Sequence, residues 1–219
     1  MPVRKMSIGK IPYLGAFALC TEKFAFFPSG IPFKKEEAEK ALGVHVVKGS
    51  ISQSPILGLL AAGNSNGVVC SDIFEVSDGE LVGAGAKVEY LRGNYTAFGN
   101  LVLANDFGAL VNPDLPEDVM NSIERALGVE VRRGTLARIK NVGAVGVATN
   151  KGVMVHPDAT EEELKDVEGA LHVPASVGTA CAGLKFVGLC VVANSKGALA
   201  GSTTTGPELG RIESSLGFI

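Results

Sequence analysis

A thiol nucleophile, an imidazole acid/base and a set of carboxylates to hold a cation are the ingredients of nucleophilic chemistry, and Cys190, His156 and several Asp and Glu residues supply them here. Spacing and surroundings argue against their use. A thiol attacks as thiolate and needs cationic company to lose its proton, whereas Cys190 lies in Val187-Gly-Leu-Cys-Val-Val-Ala193, an apolar run that reads as a strand in which a thiol packs. His156 in Val155-His-Pro-Asp158 occupies the place of Asn112 in Val111-Asn-Pro-Asp114, which is a turn after a strand. His45 alternates with valines, and His172 stands where similar segments carry a helix-ending glycine. The four cysteines, Cys20, Cys70, Cys181 and Cys190, show no C-x-x-C spacing and sit among apolar or small residues. They read as buried thiols rather than disulfides or metal ligands. No metal or cofactor site and no catalysis are expected.

Anion binding fares little better. Gly63 through Gly67 and Gly83-Ala-Gly85 are glycine-rich, but no Lys-Ser/Thr follows at phosphate-loop spacing and no dinucleotide fingerprint is present, so they read as turns. Ser202-Thr-Thr-Thr-Gly206 could receive an anion on backbone N–H groups, although an ordinary helix cap is the simpler reading. The chain has 20 basic and 23 acidic residues, a net charge of −3 and a pI of about 5.7. That balance excludes a general basic coat for nucleic acid. Lys34, Lys35, Arg132, Arg133, Arg138 and Lys140 read as solvated surface, with phosphate contacts at a rim as the alternative. No signal-peptide core or membrane-length apolar run occurs, so a cytoplasmic location is expected.

The elements that hold these residues come from a repeat. Leu59-Leu-Ala-Ala-Gly-Asn-Ser-Asn-Gly67-Val-Val, Leu101-Val-Leu-Ala-Asn-Asp-Phe-Gly108-Ala-Leu-Val, Val145-Gly-Val-Ala-Thr-Asn-Lys-Gly152-Val-Met-Val and Cys190-Val-Val-Ala-Asn-Ser-Lys-Gly197-Ala-Leu-Ala share one pattern. Each is an apolar run, a polar turn ending in glycine, and a second apolar run, which is a β-hairpin. The glycine is expected to supply positive φ. A weaker copy, Ala16 to Phe27, has Lys23 in the glycine's place. Helices are expected at Lys34–Leu42, Pro116–Leu127, Thr160–Leu171 and Pro207–Leu216, with a poor helix at Gly79–Gly85, and strands follow the first four units' helices at Val44–Gly49, Val88–Gly93, Val129–Gly134 and Val173–Gly178. The unit is therefore strand, strand, helix, strand, about 44 residues long and repeated five times. The fifth copy lacks its last strand and the N-terminal Val3–Ile8 strand is unassigned, so supplying one from the other closes a ring without free edges. The expected architecture is a closed five-unit α/β propeller with pseudo-fivefold symmetry, one domain over residues 1–219.

This ordered set resembles the translation initiation factor 6 family from about Val3 to Ile219. The residues that carry the resemblance are Gly63-Asn-Ser-Asn-Gly67, Asn105 to Asp114, Thr149 to Asp158 and Thr203-Thr-Thr-Gly-Pro-Glu-Leu209. A stop soon after the last helix resembles its archaeal members. The resemblance implies a pentein fold, binding to the large (50S) ribosomal subunit at its intersubunit face, prevention of premature joining by the small subunit, and a role in large-subunit maturation. It also implies a ribosomal protein as the chief contact, with peripheral rRNA contacts, and a monomer is expected. The pentein fold also houses guanidine-modifying hydrolases and transferases, which keeps Cys190 as the alternative. By symmetry the hairpin turns share one end of the wheel, so the expected ribosome-binding residues are Asn64, Ser65, Asn66, Asn105, Asp106, Phe107, Asn150, Lys151, Asn194 and Ser195. Substituting Asn105 or Asp106 is expected to weaken binding with little change in melting temperature.

Overall fold

The structure, a computed structural model, describes residues 2–76 and 79–219. It opens with β1 (Val3–Met6). The first unit follows as α1 (Leu14–Phe17), β2 (Leu19–Cys20), β3 (Phe24–Pro28), α2 (Lys35–Leu42) and β4 (His45–Gly49). The second is α3 (Leu57–Leu60), β5 (Ala62–Gly63), β6 (Val68–Ser71), α4 (Gly79–Gly83) and β7 (Val88–Leu91). The third is α5 (Phe98–Leu101), β8 (Val102–Ala104), β9 (Gly108–Val111), α6 (Glu117–Leu127) and β10 (Glu130–Arg133). The fourth is α7 (Val142–Val145), β11 (Gly146–Ala148), β12 (Val153–Val155), α8 (Glu161–Leu171) and β13 (Ala175–Val177). The chain ends with α9 (Val187–Cys190), β14 (Val191–Asn194), β15 (Gly197–Gly201) and α10 (Gly206–Ser215).

Each unit carries one three-stranded sheet: an antiparallel hairpin plus a third strand added in parallel after the long helix. A helical crossover imposes that parallel pairing. The middle strands β3, β6, β9, β12 and β15 are buried at every residue, which is why they read as unbroken apolar runs. In the last sheet the third place is taken by β1, which pairs with β15 from Val3↔Ala198 to Met6↔Gly201.

The long helices are amphipathic. In α6, Val119, Met120, Ile123, Ala126 and Leu127 are buried at the spacing of one helical face. Gly43 and Gly128 close α2 and α6 in the left-handed region, and His172 closes α8 there at φ 54°. The weak stretch in unit two does form a helix, cut to the five residues of α4, where Leu81 is buried with Phe24 and Phe26. Tertiary burial there overrides poor propensity.

Two expectations are corrected. First, a one-turn helix precedes the inner strand of every unit, so the unit is helix, strand, strand, helix, strand. Cys190 accordingly ends a helix rather than lying mid-strand. These helices touch in the order α1, α3, α5, α7, α9, and α9 touches α1 again; the inner strands β2, β5, β8, β11 and β14 follow the same cyclic order. The contacts run backbone to backbone. A Cβ on Gly58 would run into the carbonyl of Gly15, on Gly99 into that of Gly58, on Gly143 into Gly99, on Gly188 into Gly143, and on Gly15 into Gly188.

Second, the turn glycines Gly67, Gly108, Gly152 and Gly197 are not at positive φ. They are needed for space, because a Cβ would meet the carbonyl of Ala126, Ala170, Ser215 and Ala41 respectively, near the end of the next unit's long helix. In the first unit the glycine's place falls to Phe24 and not, as the repeat spacing suggests, to Lys23: Thr21 N–H donates to Phe24 O as Asn64 N–H does to Gly67 O, and Phe24 packs with Leu81 of α4, the one shortened helix.

Candidate functional site

The hairpin turns lie side by side and are joined by hydrogen bonds from unit to unit. Their first residues are the innermost. Asn64 donates through Nδ2 to the oxygens of Asn105 and Leu127, at 3.0 and 2.9 Å. Its Oδ1 accepts from the N–H groups of Asn66 and Gly67. Asn105 repeats this toward Thr149 and Leu171, and Asn194 toward Thr21 and Leu42. Each amide therefore holds its own turn, the next turn and the last carbonyl of the next long helix. Thr149 holds its turn and reaches Leu216 O at 3.5 Å through one hydroxyl.

Asn64, Asn105 and Asn194 are 2%, 5% and 1% exposed, and their side-chain hydrogen-bonding capacity is used inside the protein. This corrects the expectation that Asn105 can be replaced with little effect on melting. A buried amide with four partners is a structural clamp, and removing it leaves carbonyls and N–H groups unpaired.

The second residues form a ring above them. Asp106 accepts from Ser65 N–H and Ser65 Oγ, each at 2.8 Å, and from Asn150 Nδ2 at 2.9 Å. Asp106 N–H donates to Asn150 Oδ1, Asn150 N–H to Ser195 Oγ, and Ser195 N–H to Glu22 Oε1 at 2.7 Å. Lys23 closes the circuit by donating from Nζ to Ser65 O at 2.8 Å. Ser65 is buried, while Asp106, Asn150 and Ser195 are half-buried.

The third residues face solvent: Lys23, Asn66, Phe107, Lys151 and Lys196. Phe107 is 48% exposed. Lys196 Nζ reaches Glu22 O at 3.0 Å, and among the described residues none of the three lysines is ion-paired. Of the ten residues expected at a partner site, then, Asn66, Phe107 and Lys151 lie outermost, Asp106, Asn150 and Ser195 are within reach, and Asn64, Ser65, Asn105 and Asn194 lie beneath. Lys23 and Lys196 belong to the same face. The repeat aligns Lys196 with Lys151, whereas it sets Lys23 one place too far along, in the glycine's position.

The basic residues considered for a rim are differently engaged. Lys34 pairs with Glu37, Lys35 with Glu39, Arg132 with Glu130, Arg133 with Glu117 and Lys140 with Asp114. Exposed pairs of this kind add little stability, but they offer a partner no unneutralised charge. The backbone N–H of Arg138 donates to Glu163.

At the start of α10 the anion-binding alternative is already answered by the chain itself. Glu208 Oε2 accepts from Thr205 N–H and Thr205 Oγ1, and the carboxylate also accepts from Thr179 Oγ1 and the N–H groups of Ala182 and Gly183. Burial works against the charge, yet these bonds hold its pKa down at about 2. Ser202 to Gly206 thus form a cap. Glu163 does the same at α8, gripping Thr160, Thr135, Ala137 and Arg138.

The catalytic alternative finds its groups engaged apart. Cys190 is 0% exposed and hydrogen-bonds to Cys181, and that bond together with burial pushes its thiol pKa up, the wrong direction for a nucleophile. His156 Nδ1 accepts from Asp158 N–H at 3.1 Å, its ring meets Phe186 edge-on at 6.0 Å, and burial lowers its pKa. Of the four cysteines expected to be buried, Cys70 and Cys190 are, whereas Cys20 and Cys181 are half-buried. An open groove of about 790 Å³ between β7 and α6 is lined by Glu89, Arg92, Asp118 and Arg125 among others, charges of both signs rather than a convergent reactive group. Among the described residues no cluster suited to a metal ion occurs, and no helix is long and apolar enough to cross a membrane.

Comparison with known proteins agrees with this end-to-end repeat. The model of the eIF-6 family matches residues 3–215. "Translation initiation factor 6" of Methanocella arvoryzae is 46% identical over 218 residues, covering 99% of both chains. The proteins of that name from Methanococcoides burtonii and Pyrococcus furiosus are 48% and 47% identical, covering 99% and 100% of both chains. With a family model spanning nearly all of its length and relatives of this identity aligned from end to end, the chain belongs to the eIF-6 family.

Proposed function

We propose that this protein is a translation initiation factor that binds the large (50S) ribosomal subunit, prevents its premature joining with the small subunit and takes part in large-subunit maturation. Membership of the eIF-6 family along the whole chain carries this reading. The fold proposed with it is a closed pentein ring of five units forming one domain over residues 1–219, which the cyclic contacts of the short helices support. A monomer working in the cytoplasm, without catalytic activity, fits the same reading.

The turn face is the proposed docking surface. It presents Phe107, Lys23, Lys151 and Lys196 on a base stiffened by the Asp106 hydrogen-bond ring. An exposed aromatic beside unneutralised lysines suits a protein surface with an apolar pocket and acidic neighbours, the arrangement of a binding hot spot. A ribosomal protein on the intersubunit face is therefore the proposed chief contact, and the lysines allow peripheral rRNA phosphates as well. With a net charge of −3 the whole protein is poorly suited to lying flat on RNA. Cosedimentation with separated subunits tests the proposal: it expects the protein in the large-subunit fraction and a falling yield of joined ribosomes as its concentration rises. Pelleting with small subunits alone overturns it.

A further inference from the structure

In four of the turns the residue before the glycine is exposed, and in the second unit that residue is Asn66, followed by Gly67. It is the one Asn-Gly pair in the chain. A glycine after asparagine lets the backbone nitrogen reach the side-chain carbonyl carbon, because no Cβ crowds the approach. Water reaches the amide here, since Asn66 is exposed. Its Nδ2 donates to Leu127 O at 2.8 Å, an oxygen that also accepts from Asn64 Nδ2 at 2.9 Å, so loss of the Asn66 amide leaves no carbonyl unpaired. Gly67 N–H is loosely held, at 3.3 Å from an Asn64 Oδ1 that also takes Asn66 N–H at 2.9 Å. Lys23 Nζ on Ser65 O, at 2.8 Å, sets a positive charge one residue away. Asn64, Asn105 and Asn194 differ on every count: they are buried, their amides are fully bonded, and Ser, Asp and Ser follow them.

We propose that Asn66 is a self-modification site, deamidated with water as co-reactant, so that the turn face gains a carboxylate with time. Gly67 N gives its proton to solvent and attacks Asn66 Cγ. The new C–N bond closes a cyclic imide, the Cγ–Nδ2 bond breaks, and Nδ2 leaves as ammonia after taking a proton from solvent. Water then opens the imide: cleavage of the bond from Cγ to Gly67 N gives aspartate, and cleavage of the bond from the Asn66 backbone carbonyl carbon gives isoaspartate. One water is taken up, one ammonia is released and no electrons are transferred. The product places a negative charge on the face that carries Lys23, Lys151 and Lys196. On the reading that this face docks on the large subunit against acidic neighbours, the new charge weakens docking.

The test is peptide mapping of the full chain. Folded protein is held at mildly alkaline pH and body temperature for several weeks, sampled, digested and mapped by mass spectrometry, beside a synthetic peptide of residues 61–71 as the unfolded reference. The Asn66 peptide should show the amide-to-acid mass gain, split between aspartate and isoaspartate, before any other asparagine converts. The protein should gain one negative charge on ion exchange, and Asn66→Gln should not. An unconverted Asn66 once the reference peptide has fully converted, or earlier conversion at another asparagine, overturns the proposal. Aged wild type should cosediment with large subunits about twofold to fivefold more weakly than fresh, the range of one exposed charge pair, while aged Asn66→Gln keeps its own fresh value. Equal binding by fresh and converted wild type overturns the effect on docking. Absent binding by fresh protein overturns the docking reading instead, and the map still decides the chemistry at Asn66.

Discussion

Asn194 donates from Nδ2 to the backbone oxygen of Thr21 at 3.1 Å, joining the last unit to the first across 173 residues of chain. The same amide holds Leu42 O at the end of α2. This seam is thus clamped by the arrangement that Asn64 and Asn105 supply inside the chain. One carboxylate departs from the pattern elsewhere in the last unit. Glu39 and Glu168 each accept a strand N–H, from Val46 and Ala175, whereas Glu213 Oε1, from the corresponding position of α10, is buried without a partner among the described residues.

Asn194→Ala should therefore cost about 2–4 kcal/mol, since it strips partners from two buried carbonyls and two turn N–H groups. For a chain of this length that is a fall of roughly 2–4 °C in melting temperature per kcal/mol. Asn66→Ala, at an exposed site with one bond to Leu127 O, should cost less than about 1 kcal/mol. Urea unfolding of the two variants beside the wild type measures the difference.

The repeat, the hairpins and the long helices were legible because each leaves a periodic mark: paired apolar runs around a polar turn, and a closing glycine. The one-turn helices were not, because four residues such as Leu57-Gly-Leu-Leu60 are too few to show a helical period and merge with the strand that follows. The turn glycines were found, but their reason was not. A glycine needed for φ and one needed to admit a neighbour's carbonyl look alike in sequence, and only packing distinguishes Gly108 from Gly128. Likewise Asn64 and Asn105 were visible as polar turn residues, while their burial depended on a helix end some 60 residues later in the chain, Leu127 for Asn64 and Leu171 for Asn105.

The pH dependence of stability should carry the mark of Glu208. Its folded pKa of about 2 lies below the ordinary value of 4.5, so the native state binds fewer protons than the unfolded state between those values. The stability it contributes is complete above about 4.5 and is lost as pH falls toward about 2. Glu163, shifted in the same direction, adds to the trend. Glu208→Gln should destabilise the protein near neutral pH and flatten the acid limb of its stability curve, followed by urea midpoints across that range.

His172 adopts φ 54° at the end of α8, where α2 and α6 use glycine. A side chain in this conformation costs on the order of 1 kcal/mol. Because His172 is exposed, His172→Gly should raise stability by about that amount, and a thermal melt that shifts upward bears this out.

Binding should respond to the outer turn residues without a stability change. Lys151→Glu combined with Phe107→Ala should weaken cosedimentation with large subunits at least about tenfold, the scale of one lost hot spot, while leaving the melting temperature within a degree or so. Glu124→Lys, exposed on α6, should bind as wild type does. Unaltered binding by the double variant would move the docking surface to another face.

The backbone hub also governs how such a chain can diverge. Five glycines pass their contact around the axis with no side chain between them, so there is no slack for a sixth unit to enter or a fourth to suffice by swapping rotamers. Duplication or loss of a unit, an ordinary event in linear repeat arrays, would require the hub to be rebuilt in every unit at once. Variation is instead directed outward, to a helix cut short at Gly79–Gly83, a histidine at the end of α8, or a phenylalanine at the tip of one turn. The number of units is in this sense an inherited constant, and surface chemistry is what the lineage is free to change.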